Sequence, residues 1–159
     1  MDYGEKIKVI LLPAIIFVVF VLLDYLIGLT VIVHEFGHAF TCNLIGGKIL
    51  NLEAERTGGK VECYFGREIE SYKLVIFYLA GILAELTLAL IFLAIPYTSH
   101  IGGYLTFMIG WSWFFGSYAK DFEIIPFLLI FPVRFLVLVL SVVVYIISWI
   151  ITFRYWEKL

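Results

Sequence analysis

Apolar residues run almost unbroken from Val9 to Leu23, from Tyr72 to Tyr97, from Gly102 to Tyr118 and from Phe135 to Phe153. A helix needs roughly 20 mostly apolar residues to cross a bilayer. Inside lipid, only helices and closed barrels satisfy their own backbone hydrogen bonds. Composition agrees: 63% of the 159 residues are hydrophobic and 15% are charged, against about 45–50% and about 25% in soluble domains. With a mean hydropathy of +1.04, the chain has too little polar surface to cover a water-soluble globule. The expectation is an all-α polytopic membrane protein, one domain over residues 1–159, with about five transmembrane helices.

The segment from Lys8 to Ile45 is too long for one span and just long enough for two. It can form a tight helical hairpin, over about 9–23 and 26–45, or a single long bent helix. Basic residues favour the cytoplasmic side of short loops. In the hairpin arrangement, Lys6 and Lys8, the loop with Lys48, Arg56, Lys60 and Arg67, and the stretch with Lys120 and Arg134 all share that side. Charge therefore favours the hairpin, with further spans at about 72–97, 102–118 and 135–153. Lys6 and Lys8 ahead of an apolar run resemble a signal peptide, but no small-x-small cleavage site follows, so the segment is expected to be retained. Pro126 and Pro132 interrupt the stretch before the last span, which reads as an interfacial or re-entrant piece.

The one sizeable polar segment, 48–65, alternates in Lys60-Val61-Glu62-Cys63-Tyr64-Phe65 and contains "RTGG". It is expected to be a β-hairpin at the membrane surface, with Gly58 and Gly59 supplying the turn. Cys42 and Cys63 are far apart and lack a C-x-x-C spacing. They suggest no disulfide framework and no thiolate cluster, and read as two small hydrophobes. Cys42 does follow His38 by one helical turn, on the same face. The net charge of −2 and the absence of a basic aromatic-laced run exclude nucleic acid as a partner.

Against this background "VIVHEFGHAF", residues 31–40, places His34, Glu35 and His38 in an otherwise apolar run. Acidic or basic residues at a helix centre cost about 2.5–3.5 kcal/mol on insertion scales, so these groups need compensation. Four residues apart, His34 and His38 lie on one helical face and can offer two imidazole nitrogens to one metal ion. Glu35, rotated by about 100°, can act on a water at the open coordination position. This H-E-x-x-H pattern is the arrangement of zinc metalloproteases, two ligands plus a general base. A polar seam or a bis-histidine haem site would also place two histidines there. His100 reads as a loop histidine on the far side, and Trp111, Trp113, Tyr118, Trp149 and Trp156 as packing residues or interface anchors.

With "HEFGHAF" in an apolar helix, "IGGKI", a short β-prone loop and an "AG" helix, the stretch from Leu26 to Phe127 resembles the site-2 protease family of intramembrane zinc metalloproteases. The resemblance implies one Zn2+ per chain and a membrane-spanning or membrane-associated protein substrate cleaved in or near the bilayer. It also implies a third ligand, an aspartate on a later span, usually in Asp-Gly. Asp2 is terminal and Asp24 falls upstream of the histidines near the opposite face, whereas Asp121 falls on the same side as the end of the histidine helix, and here Phe122 follows it instead of glycine. Glu85 has the four-residue spacing from Gly81 of a family Gly-x-x-x-Asn-like pattern, which makes it an alternative third ligand or an oxyanion donor. The 48–65 hairpin is the expected substrate-binding element, by strand addition, and the active site is expected toward the cytoplasmic side. The rival from another class is a non-catalytic metal-binding scaffold or degenerate protease homologue.

Overall fold

The structure, a computed structural model, describes residues 3–56, 58–66, 68–118, 120–122 and 125–158, with side chains from Val9 onward. Thr57 in the expected turn, Arg67 in the basic loop and the side chains of Lys6 and Lys8 lie outside the described residues. Five long helices and one two-stranded antiparallel sheet follow in the order α1 (Tyr3–Ile27), α2 (Leu29–Leu44), β1 (Lys48–Glu55), β2 (Gly58–Tyr64), α3 (Ser71–Ala94), α4 (Ser99–Phe115) and α5 (Phe131–Trp156). Within these, Val9–Ile27, Ser71–Ala94 and Phe131–Trp156 are long and apolar enough to cross a membrane. Helices α2 and α4 have 16 and 17 residues, short of the roughly 20 a span needs.

Gly28 separates α1 from α2. Its φ of 66° is left-handed, a conformation glycine adopts without steric cost. The buried Asp24 carboxylate then accepts hydrogen bonds from the Thr30 amide (2.8 Å) and hydroxyl (3.0 Å), satisfying a donor at the start of α2 that the helix itself leaves open. The expected tight pairing of these two helices does not form. They meet around this junction, while α1 packs on α4 and α5 and α2 packs on α3 and the sheet. The reason lies in the side chains each presents. Phe17 of α1 packs against Tyr104 and Trp149, whereas Gly37 of α2 sits against Ala80 and Ala84 of α3, where small residues permit close helix approach.

Helices α3, α4 and α5 form an antiparallel layer. Gly103 and Gly110 of α4 face Ser148 and Ser141 of α5. His100 corrects its assignment to a loop: it lies in the first turn of α4, fully buried, with its backbone amide donating to the Thr152 hydroxyl at 3.0 Å. Pro126 opens a short 3-10 turn, Pro126–Leu129, and Pro132 sits in the first turn of α5, where its missing N–H costs no helical bond.

The hairpin forms over 48–64, but its last pair is Glu55 with Gly58, so Gly58 and Gly59 belong to β2 and not to the turn. A second correction concerns the cysteines. Cys42 and Cys63 are joined by a disulfide, with Cα atoms 5.9 Å apart. The chain leaves α2, turns through Gly46 and Gly47 into β1, and returns as β2. Cys63, paired opposite Ile49, therefore comes back beside the last turn of α2. Cys42 thus has no thiolate to offer as a ligand.

Candidate functional site

His34, Glu35 and His38 all lie on the buried face of α2. The Nδ1 of His38 donates to the Phe77 carbonyl on α3 at 2.8 Å. With the proton held on Nδ1, Nε2 carries the lone pair a metal requires, the outer-shell arrangement usual for histidine ligands. His34 lies against Gly81 of α3, so closely that a β-carbon at Gly81 would overlap the imidazole. Its Nε2 is 3.1 Å from His38 Nε2.

Asp121 completes the group. Its Oδ2 is 3.1 Å from His34 Nε2, and its Oδ1 is 3.6 Å from His38 Nε2. Among the described residues these three side chains form a triad able to hold a metal ion. The separations fit one. Tetrahedral ligands with bonds of 2.0–2.1 Å stand about 3.3 Å apart, and the three separations bracket that value. His34 Nδ1, on the opposite edge of the ring, is buried without a hydrogen bond of good geometry. Glu85 Oε1 lies 3.4 Å from it.

Asp121 reaches the histidines because of the residue after it. Helix α4 stops at Gly116, with φ 83°, and the chain folds back so that the Phe122 amide donates to the Tyr118 carbonyl at 3.1 Å. Phe122 is 1% exposed and packs with Ile82, Ile109 and Trp113. The aromatic ring is the anchor that turns Asp121 inward. Trp113 Nε1 then donates to the Leu128 carbonyl at 2.8 Å, tying the far end of the linker to α4.

Glu85, the other ligand candidate, faces the Nδ1 edge of His34 and not the edge shared with His38 and Asp121. Its second oxygen accepts a hydrogen bond from the Tyr118 hydroxyl. The sequence reads Tyr118 as a packing residue or interface anchor, with no part in the site. Its ring stacks on His34, with centroids 5.3 Å apart and planes 4° from parallel. The available signal was its place three residues before Asp121, one turn away on the same linker.

The Glu35 carboxylate lies against Gly59 of the hairpin, in the same cavity lining as His34 and Asp121. A cavity of about 620 Å³ joins these groups, lined by His34, Glu35, Glu85 and Asp121 and extending to Asp24 and Tyr104. Arg56 of the hairpin and Lys120 of the linker, both exposed, are among its lining residues. The site can therefore hold a metal ion beside a buried carboxylate, at the wall of this cavity.

The chain matches no protein-family model, no curated protein and no solved structure.

Proposed function

We propose that the chain is a zinc-dependent intramembrane endopeptidase of the kind its H-E-x-x-H helix resembles, a multi-pass membrane protein acting on membrane-spanning or membrane-associated proteins. One observation carries this reading. His34 Nε2, His38 Nε2 and the Asp121 carboxylate converge at metal-ligand separations, and Glu35 lines the same cavity.

His34, His38 and Asp121 would hold one zinc, leaving a fourth position open as catalytic sites require. Bound zinc lowers the pKa of its water to about 7 and polarises a carbonyl. The chain's own residues do the rest. Glu35 accepts a proton from the attacking water and delivers it to the leaving amine nitrogen. A helical peptide bond is shielded and already hydrogen-bonded, so the substrate segment must be extended before it is cut. The hairpin offers unpaired backbone groups for that extended strand, and Gly59 keeps its approach to Glu35 clear.

The test is zinc content together with cleavage of a fluorescent single-span reporter protein by the detergent-purified chain. Expected are near one zinc per chain in wild type and in Glu35→Gln, cleavage by wild type alone, and loss of both with Asp121→Ala. Zinc retained without any cleavage by wild type would replace the protease reading with the metal-binding scaffold. Wild type without zinc after metal-replete expression would end both.

A further inference from the structure

Glu85 sits on α3, yet two of its contacts belong to other parts of the site. Oε1 faces His34 Nδ1 of α2 at 3.4 Å. Oε2 accepts the hydroxyl of Tyr118 on the linker, three residues before Asp121. His34 Nδ1 is buried and makes no hydrogen bond among the described residues, with Glu85 Oε1 the carboxylate oxygen set beside it, and the Tyr118 ring lies flat on the same imidazole. One carboxylate thus touches the metal-facing histidine and the segment that delivers the third ligand.

We propose that Glu85 and Tyr118 are a positioning pair. Glu85 holds the proton of His34 on Nδ1 so that Nε2 points at the metal, and Tyr118 locks the Asp121 linker to the same carboxylate. The inference rests on the metal-binding reading of His34, His38 and Asp121. It assigns Glu85 neither a coordination bond nor an oxyanion contact. Two features of the geometry favour this. The carboxylate lies on the wrong edge of His34 to join the triad, and both its oxygens are directed at chain groups. Outer-shell partners of this type typically contribute a factor of about 10–100 in metal affinity.

The linkage makes a specific demand on variants. Tyr118→Phe keeps the ring stack and removes only the hydroxyl, so a merely packing role predicts no change in metal binding. Glu85→Gln keeps one acceptor oxygen for His34 but cannot serve both donors with carboxylate oxygens. Glu85→Ala removes both contacts. Because the two residues act in series, the double variant Tyr118→Phe/Glu85→Ala should bind no more weakly than Glu85→Ala alone.

The experiment measures Zn2+ affinity of the full-length chain in detergent by competition with a chromophoric chelator. The visible spectrum of the Co2+-substituted protein reports ligand geometry, and circular dichroism of the metal-free proteins reports folding. Expected are losses of about 10–100-fold for Glu85→Ala, intermediate losses for Tyr118→Phe and Glu85→Gln, a perturbed Co2+ spectrum in each, and unchanged helicity. Wild-type affinity and spectrum in Tyr118→Phe and Glu85→Gln would overturn the proposal, as would additive losses in the double variant. If wild type itself bound neither Zn2+ nor Co2+, the metal-site reading would fail first and the positioning roles with it.

Discussion

The carboxylate of Glu35 lies directly against the backbone of Gly59, so that a β-carbon at Gly59 would come within 2.7 Å of Glu35 Cδ and Oε1. The hairpin thereby fixes where the candidate base can sit. Gly59→Ala should push the carboxylate aside without touching His34, His38 or Asp121. A displacement on the order of 1 Å can cost about 100-fold in rate. Reporter cleavage should fall by about that factor while zinc content stays at the wild-type level. Gly66→Ala is the control, since an added β-carbon there meets only Tyr64 Cε1, at 3.9 Å. Equal cleavage by Gly59→Ala and wild type would remove Glu35 from the role of base.

Gly81 makes a matching demand on the metal side. A β-carbon there would overlap the His34 ring, so Gly81→Ala should rotate the imidazole away from His38 and Asp121 and weaken zinc binding at least tenfold or so. Helix propensity acts in the opposite sense, because Ala is favoured over Gly in a helix interior by about 1 kcal/mol. A variant that gains thermal stability in the metal-free form and loses zinc affinity would separate the two effects. One that keeps full affinity would show that His34 is not held from this side.

How much of this was legible follows from how far along the chain each relationship reaches. His34, Glu35 and His38 stand out because helical spacing alone puts them together, and the helices could be located because long apolar runs are local signals. Asp121 was reachable as a candidate through the resemblance and the side it falls on. The means of its delivery was hidden, since burial of Phe122 among Ile82, Ile109 and Trp113 depends on packing between helices. Tyr118 looked like an interface aromatic for the same reason. The Cys42–Cys63 bridge depends on strand register, which no cysteine spacing reveals. Gly58-Gly59 was assigned to a turn on its conformational freedom, whereas Gly59 is needed for the space it leaves beside Glu35.

Phe122 stands where the resembled family has glycine after its aspartate, and the packing reverses the usual expectation for a return to that pattern. Phe122→Gly should not improve the site. It removes a side chain 1% exposed, a loss that costs about 3–5 kcal/mol for a buried aromatic cut to Ala, and it frees the linker that carries Asp121. Zinc affinity should drop together with the thermal midpoint, and Phe122→Leu should recover part of both. Tighter zinc binding in Phe122→Gly would mean that Asp121 is positioned by the backbone and not by this anchor.

The disulfide joins the end of the histidine helix to β2 across a sequence separation of 21. Closing a loop of that size stabilises a fold by roughly 3 kcal/mol, so the double variant Cys42→Ser/Cys63→Ser should unfold at a clearly lower temperature. The bridge also bears on orientation. The basic residues of the loop favour the cytoplasmic side for this end of the molecule, whereas disulfides persist mainly in oxidising compartments. Alkylation of the protein in isolated membranes, followed by intact-mass measurement, should leave both cysteines unmodified. That result would place the site on the oxidising side, against the charge pattern. Two alkylated cysteines would restore the cytoplasmic assignment and show the bridge to be absent in the cell.

Asp24 is ten residues from His34 in sequence and lines the opposite end of the same cavity, so its substitution separates stability from chemistry. Its Oδ1 accepts from the amide and hydroxyl of Thr30, and its Oδ2 is 3.4 Å from the Tyr104 hydroxyl. The carboxylate thus ties the start of α2 to α1 and α4 across the left-handed Gly28. Asp24→Ala leaves the Thr30 amide and hydroxyl without this acceptor in a partly buried place, a loss of about 1–3 kcal/mol. Asp24→Asn keeps an acceptor oxygen for Thr30 and should lose less. Thr30→Val removes only the hydroxyl, leaves the amide bond intact, and should cost about 1 kcal/mol. Measured by denaturant or thermal unfolding in detergent, the order of stability should be wild type, then Asp24→Asn and Thr30→Val, then Asp24→Ala. Below each midpoint, zinc content should stay at the wild-type level, because none of the three triad residues touches Asp24. Loss of zinc from a still-folded Asp24→Ala would instead show that the junction at Gly28 sets the rotation of α2, and with it the direction in which His34 and His38 point.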